Sequence, residues 1–389
     1  METLPVVQLT GKGRRWRLSG HPWIYRDDLA ETPAVPSGEL VAVADPRGAL
    51  LGQAFYSATS RIALRFVTTG EEPVDAEFWE KRLAGALEFR RLVVQDTNAY
   101  RLIFGEADGF PGLVVDHYNG HLAVQALHPG MERRLPELLE LFVSRLSPAS
   151  VTLRHDAEVR LLEGLALEVR TVYGELPERI EVQEGPVRFW VDIRHGQKTG
   201  LFLDQRENRL AASLLARGEV LDAFAYQGGF ALHMARRAQH VTLVESSAAA
   251  LAMAEENARL NAVTNVTLVR ENVFSFLKKT VSGEQRFDTI VLDPPAFAKS
   301  RQDRPGAIRG YTELNRLALQ LLKPGGFLIT CSCSYNLREE EFLEIVRRAA
   351  AAAGRPARLL ERRGAARDHP GLLALPESFY LKCLFLEAF

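Results

Sequence analysis

The sequence predicts an α/β protein: a doubly wound, largely parallel sheet in the C-terminal half, preceded by a small β-rich module and a central α+β region. Three observations lead there. From about residue 186, strand-like and helix-like segments alternate regularly, from GEVLDAFAY to GGFLITCSCS. The strands in this stretch are apolar runs such as TIVL, the pattern of strands covered by helices on both faces. Upstream, shorter runs lie between clusters of turn residues and the regular alternation is missing.

Residues 1–72 make the first predicted domain. ELVAVAD and LLGQAFY read as strands around the turn Asp45-Pro46-Arg47-Gly48, and RIALRFVTT as a further strand. Lys12, Arg14, Arg15, Arg17 and Arg26 give it a basic edge beside the aromatic cluster His21-Pro22-Trp23-Ile24-Tyr25, and Gly70-Glu71-Glu72-Pro73 reads as a linker. Residues 73–185 mix types. Phe78, Leu83, Leu87 and Leu92 recur at helical spacing over Asp75 to Val94. Two strands follow within LIFGEADGFPGLVVDHYNGHLAVQAL, then a helix at MERRLPELLELFVSRL and a strand at ASVTLRH. Residues 186–389 carry the alternating pattern, with the alanine run 349–353 read as helix.

Composition narrows the class. Hydrophobic residues at 47% and charged residues at 25% fit a soluble globular protein, and no apolar stretch is long enough to span a bilayer. The N-terminal segment lacks the apolar core of a signal peptide, so a cytoplasmic protein is expected. Three cysteines do not make a disulfide framework. A net charge of −1 rules out a uniformly basic coat, leaving two local clusters that can neutralise phosphates. One is the N-terminal edge; the other is the Arg-rich stretch 347–367, which reads equally as a solvated face.

In doubly wound sheets, ligands bind beyond the carboxyl ends of the strands. The first strand here ends in DAFAYQGGF, where the glycine pair lets backbone approach a ligand, and the second in Glu245, an acid placed to accept hydrogen bonds from ribose hydroxyls. A dinucleotide site would use the same pair, yet no G-x-G-x-x-G follows the strand. The fourth strand ends in Asp293-Pro294-Pro295-Ala296-Phe297, where two prolines stiffen the tip beneath a carboxylate and a ring able to stack on a base. The fifth runs into Cys331-Ser332-Cys333-Ser334. A lone C-x-C without a second pair or a histidine cluster is poor for zinc, so no metal is expected. Buried packing and a nucleophilic thiolate are the two remaining readings of these cysteines.

DAFAYQGGF, Glu245, DPPAF, KPGGFLITCSCS and the upstream KTGLFLDQRENR resemble the class I (Rossmann-like) methyltransferase domain of ribosomal RNA methyltransferases. Over essentially its full length the chain resembles the bacterial family that makes 5-methylcytosine in large-subunit (23S) ribosomal RNA, with an N-terminal PUA domain that GKGRRWRLSGHPWIY matches. The resemblance implies S-adenosylmethionine as cofactor, with Phe224, Tyr226 and Gly228 around its methionine part, Glu245 on the ribose and Asn272 at the adenine, where Asp is more usual. It implies that Lys198, Phe202, Asp204, Gln205 and Arg206 line the cofactor and substrate mouth. It further implies Asp293 and Phe297 facing the target base, Cys333 as nucleophile, Cys331 as a spare, and Lys12, Arg14 and Arg15 on RNA. Other readings stay open: a guanine- or adenine-nitrogen methyltransferase, a non-catalytic RNA-binding assembly factor, and, third, a nicotinamide dehydrogenase. Whether the substrate is naked RNA or a ribosomal particle, and whether the chain is a homodimer, stay open too.

Overall fold

The computed structural model describes residues 4–298 and 302–389, which divide into two compact units. The first comprises residues up to Val182 with Val191–Leu203 and Arg367–Ser378; the second comprises Gln183–Trp190, Asp204–Ala366 and Phe379–Phe389. Among the described residues, no helix is long and apolar enough to cross a membrane.

The first unit begins with β1 (Val6–Gln8), α1 (Gly11–Leu18), β2 (Trp23–Tyr25), β3 (Leu40–Ala44), β4 (Leu50–Tyr56) and β5 (Ile62–Thr68), whose strands form one sheet in the order β1-β3-β4-β5-β2. Gly52 sits at φ +127° at an irregularity in the β4–β5 pairing, and a Cβ there would meet the Thr68 carbonyl at 2.3 Å. Only glycine lets the two strands approach. α1 was not expected from the sequence. Its segment is basic and holds two glycines, so it lacks an apolar stripe; Thr10 starts it by accepting a hydrogen bond from the Gly13 amide.

α2 (Ala76–Val93), β6 (Ala99–Phe104), β7 (Leu113–Tyr118), β8 (His121–Ala126), α3 (Pro129–Leu146), β9 (Ser150–His155), the short α4 (Val159–Leu162) and β10 (Glu168–Gly174) complete this unit's regular elements. The strands form a sheet in the order β10-β9-β8-β7-β6. Three strands, not two, come from the segment around Gly109 and Gly120, because its second turn is the two-residue Asn119-Gly120 hairpin. α2 is capped by Asp75, and its buried stripe is Phe78, Trp79, Leu83, Ala86 and Arg90. Leu92, counted in the apolar spacing, is 63% exposed, since the stripe passes through Arg90 instead. Arg90 is buried because Asp108 pairs both of its terminal nitrogens and the Asp368 carbonyl accepts a further hydrogen bond. His155 is also buried, between Glu132 and Glu168. Its Nε2 accepts from the Ala126 amide at 3.2 Å, which leaves Nδ1 facing the two carboxylates at 3.7 and 3.8 Å, beyond hydrogen-bond reach.

A hairpin of β11 (Ile180–Glu184) and β12 (Val187–Val191) follows, with Gln183–Trp190 counted in the second unit. The second unit then runs α5 (Arg206–Leu215), β13 (Glu219–Ala223), α6 (Gly229–Ala235), β14 (His240–Glu245), α7 (Ala248–Leu260), β15 (Val266–Arg270), α8 (Val273–Val281), β16 (Phe287–Leu292), α9 (Arg304–Leu321), β17 (Leu322–Ser332), α10 (Glu339–Ala353), β18 (Ala357–Arg363) and β19 (Lys382–Ala388). Its sheet has the order β15-β14-β13-β16-β17-β19-β18. β13 to β17 pair in parallel, as their apolar runs predict, and the order reverses between β13 and β16. β19 inserts antiparallel between β17 and β18, which the sequence did not signal, because its partner strand lies some 50 residues away.

A buried charge cluster ties the start of this unit to its first helices. Glu184 accepts from Arg209 Nε at 2.7 Å and Nη2 at 2.5 Å, and pairs with His233 Nε2 at 2.9 Å. Burial pushes its carboxyl up, but Arg209 and His233 outweigh this and hold it at about 2. Glu184→Ala leaves the buried Arg209 uncompensated and should cost about 3–5 kcal/mol in denaturant unfolding. A loss below about 1 kcal/mol would contradict this reading. The stabilisation is present above the unfolded carboxyl range and lost as pH falls toward 2.

Candidate active site

The second unit's site is built on the carboxyl ends of β13, β14, β16 and β17, at the reversal of strand order. After β13 the backbone turns through three left-handed residues, Phe224 at φ +65°, Tyr226 at +47° and Gly228 at +81°. For two aromatic residues this conformation costs about 1–2 kcal/mol each, strain of the kind that persists where a loop must present its backbone to a ligand. Neighbouring β14 holds the loop in place. The amides of Phe224 and Ala225 donate to the Val244 carbonyl at 3.0 and 3.2 Å, and the Tyr226 amide donates to the Glu245 carboxylate at 3.1 Å. The other Glu245 oxygen accepts from the Ser247 amide at 2.8 Å and the Ser246 hydroxyl at 3.2 Å. Loop and acid are therefore one constructed piece.

Three carboxylates converge there. Asp222 at the end of β13 is 1% exposed; one oxygen accepts from the Ala231 amide at 2.8 Å, and Oδ1 is buried without a hydrogen-bond partner. Burial, with Asp293 and Glu245 adding their negative charge against the Ala231 hydrogen bond, pushes its carboxyl up to about 7. The stabilisation from a raised acid is present below the unfolded carboxyl range and lost as pH rises through the folded value. Asp222→Asn should therefore gain stability over the parent protein as pH rises, its advantage at pH 8 exceeding that at pH 5 by about 2 kcal/mol in urea unfolding. A difference independent of pH would contradict this.

Asp293 follows β16 and is half-buried; its Oδ1 accepts from Gln205 Nε2 at 2.9 Å, and Gln205 in turn accepts from Asn208 Nδ2 at 2.6 Å. Cys333, just past β17, is partly exposed and lies 3.9 Å from the Pro294 carbonyl through its sulfur, so the DPP tip and the cysteine meet. Cys331 is fully buried with its sulfur 3.2 Å from Cys383 on β19, and burial, with Cys383 and Asp293 adding to it against a Gln205 hydrogen bond, pushes its thiol well up. Phe297 is half-buried rather than projecting, its ring centroid 4.6 Å from that of Tyr311 and 6.1 Å from that of Phe274.

The remaining predicted residues fall in several places. Asp204, Gln205 and Arg206 are buried in the second unit, and Asp204 accepts from the Tyr380 hydroxyl at 2.6 Å. Lys198, exposed and left-handed at φ +54°, and Phe202 belong to the first unit, with the ammonium 4.4 Å from the ring centroid. Asn272 caps α8, its side-chain oxygen accepting from the Ser275 amide at 3.3 Å. In α1, Lys12 pairs with buried Asp28 at 2.9 Å and Arg14 with buried Asp45 at 3.0 Å, whereas Arg15 is exposed. Of the Arg-rich stretch, Arg347 and Arg348 both bind Glu344, Arg358 pairs with Glu387 and Arg363 with Glu361.

A family model of S-adenosylmethionine-dependent methyltransferases matches residues 160–370, and one of a PUA-like domain matches residues 7–69. The chain is 40% identical over 381 residues to the ribosomal RNA large subunit methyltransferase I of Tolumonas auensis, covering 95% of this chain and 96% of that protein. It is 40% identical over 387 residues to the protein of that name from Aeromonas salmonicida, covering 97% and 98%. The chain belongs to the ribosomal RNA large subunit methyltransferase I family. Its fold is similar to that of a methyltransferase crystallised with SAH, at 19% identity and a TM-score of 0.86 over 99% of this chain and 100% of that one. A SAM-dependent methyltransferase from Streptococcus mutans gives 20% identity and a TM-score of 0.85 over the same shares.

Members of this methyltransferase family depend on S-adenosylmethionine, and the site's chemistry fits that group. Its sulfonium and amino group are cationic, and the crevice presents Asp222, Glu245 and Asp293 with a buried oxygen of Asp222 unpartnered. Gly228 forms the near wall, where a Cβ would stand 3.3 Å from Leu243 in a backbone conformation side chains rarely adopt. Sequence reading missed Asn208 and Tyr380, which brace Gln205 and Asp204, and Tyr311, whose hydroxyl lies 2.9 Å from that of Ser334. Asn208 lies inside the KTGLFLDQRENR segment and had a signal there; Tyr311 on α9 and Tyr380 just before β19 lie in no motif.

Proposed function

We propose that this chain transfers a methyl group from S-adenosylmethionine to carbon 5 of a cytosine in large-subunit ribosomal RNA, with Cys333 as the covalent nucleophile. The observation that carries this is the meeting of a partly exposed thiol with the DPP tip at the strand ends, 3.9 Å from the Pro294 carbonyl and beside Asp293. The RNA class comes from the names of relatives that match along the whole chain.

Carbon 5 of cytosine is too weak a nucleophile to take a methyl group unaided. S-adenosylmethionine, when bound, supplies an electrophilic methyl group on a sulfonium. The Cys333 thiolate forms a bond to carbon 6, which turns the ring into an enamine and makes carbon 5 nucleophilic. Once carbon 5 carries the methyl group, removal of its proton to a base restores the 5,6 double bond and expels the thiolate. Asp293, held by Gln205, hydrogen bonds at the N3 and amino edge of the base, where charge changes most during addition. The left-handed loop with Phe224, Tyr226 and Gly228 encloses the methionine end of the cofactor, and Glu245 takes the ribose. Asn272 meets the adenine with its amide nitrogen while its oxygen caps α8. Asp204, Gln205 and Arg206 line the mouth, and Phe297 backs the base from the Tyr311 side.

A cytosine inside folded RNA must leave its stack to reach such a site. Residues 1–72 and 73–185 serve the RNA, and residues 186–389 the cofactor and the chemistry. In α1 the exposed Arg15 is the freest to meet phosphate, Lys12 and Arg14 sharing their charge with Asp28 and Asp45. The test is incubation with labelled S-adenosylmethionine and unmodified large-subunit RNA, naked and as subunits, followed by digestion and mass spectrometry of the nucleosides. Labelled 5-methylcytidine is expected. A nitrogen-methylated guanosine or adenosine would overturn the reading and return Cys333 to packing.

A further inference from the structure

A lysine stands beside the proposed nucleophile on a strand that no motif pointed to. Lys382 opens β19, which runs antiparallel to β17 with Lys382 opposite Ser332. The side chain is buried, at 3% exposure, and its Nζ donates to the Ser334 carbonyl at 2.7 Å and to the Tyr380 carbonyl at 2.7 Å. The lysine thus touches the backbone on both sides of Cys333, through its strand partner Ser332 and through Ser334. Neither hydrogen-bond partner is charged. A buried ammonium held only by carbonyls is half of an ion pair, and such a charge is retained only when something nearby answers it.

We propose that Lys382 is the positioning residue that keeps Cys333 in its thiolate form and fixes the strand end on which the sulfur sits. This inference rests on the assignment of Cys333 as nucleophile. The thiolate is the reactive species, and an adjacent cation is a standard means of populating it near neutral pH. Electrostatic reciprocity supports the pairing. Burial pulls the Lys382 ammonium down to about 8, and the negative charges of Cys333 and then Glu339 act to raise it. A thiolate that favours the ammonium is favoured by it to the same extent. Among the described residues, the other titratable groups beside this spot include a phenol and two acids. Tyr311 on α9 is neutral, its hydroxyl pushed up by burial; Asp293 at the end of β16 and Glu339 at the start of α10 are acids. Cys331 and Cys383 are fully buried and compete little for a thiol reagent.

The role differs from that of a group that touches the base. Lys382 acts through the sulfur, so its loss should depend on pH in a way that a packing defect does not. At neutral pH the ammonium is charged and the thiolate is supported. Above about pH 8 the ammonium of Lys382 discharges, and at high pH the thiol ionises without it.

The test is the pH dependence of Cys333 alkylation by iodoacetamide, followed by peptide mass spectrometry on the full-length protein without RNA. In the parent protein the midpoint is expected below the ordinary cysteine value of about 8.5. Lys382→Met should raise it by about one pH unit or more, and Lys382→Arg should restore most of the difference. The kcat of Lys382→Met should fall about tenfold or more at pH 7 and recover toward pH 9, with KM for RNA little changed. A parent midpoint at or above about 8.5 would overturn the proposal, and this needs no variant to fold. So would a folded Lys382→Met with the parent's midpoint. Failure of the nucleophile assignment reads out separately, as methylation surviving in Cys333→Ala, whatever the alkylation midpoints.

Discussion

Cys333→Ala should reduce cytosine methylation by about 10⁴-fold or more, because without addition at carbon 6 the ring offers no competent carbon nucleophile. Affinity for S-adenosylmethionine should stay within a few-fold of the parent value, since the cofactor loop is held by β14 through Val244 and Glu245 and not by β17. Cys333→Ser should be nearly as inactive, an alcohol being far less ionised than a thiol at the same site. The internal control is Cys331→Ala. That sulfur is buried against Cys383 at 3.2 Å with its thiol pushed up, so its loss should change stability more than turnover. Single-turnover assays with RNA, alongside calorimetric titration of the cofactor, check both halves. Equal loss in the two alanine variants would mean that the site needs the strand end intact rather than one particular thiol.

Asp293→Asn should lower kcat by about 10²-fold at saturating cofactor, a typical cost of removing one charged hydrogen-bonding group aimed at the reacting edge. Asparagine keeps an oxygen for the Gln205 amide, which now donates at 2.9 Å, so the tip should stay folded. It also removes one of the two charges that raise Asp222, whose carboxyl should then titrate closer to the ordinary range. The variant therefore separates two roles. A fall in kcat with little change in cofactor affinity assigns Asp293 to the base, whereas loss of cofactor binding alone assigns it to the cofactor. A kcat within threefold of the parent would remove it from the chemistry.

The parallel core was legible because each of its strands is a local apolar run, and the positions that make the crevice lie at the ends of those runs. DAFAYQGGF announced a turn through its glycines, although two of its three left-handed residues prove to be Phe224 and Tyr226, which no local rule favours there. The special backbone is imposed by hydrogen bonds from β14, and those depend on strand pairing. The two cysteines of C-x-C illustrate the limit from another side. Spacing reads both alike and only the family resemblance singled out Cys333; in the structure the antiparallel β19 separates them, by placing Cys383 against Cys331 and Lys382 beside Cys333. β19 ends the chain and its partner is distant, so neither neighbour could be inferred from spacing. Charge clusters were similarly opaque. Lys12, Arg14, Arg358 and Arg362 looked like basic surface, yet acids from other elements answer them. Sequence reports the charge of a segment, whereas pairing is a property of the fold.

The central claim is that catalysis passes through a bond between Cys333 and cytosine carbon 6. RNA containing 5-fluorocytidine tests it most directly, since fluorine at carbon 5 cannot leave as a proton does and the final elimination is blocked. Incubation with S-adenosylmethionine should give a protein–RNA adduct that survives denaturing electrophoresis, and peptide mass spectrometry should place the methylated fluorocytidine on Cys333. An adduct absent under conditions where ordinary RNA is methylated, or attached to any other residue, would contradict the account.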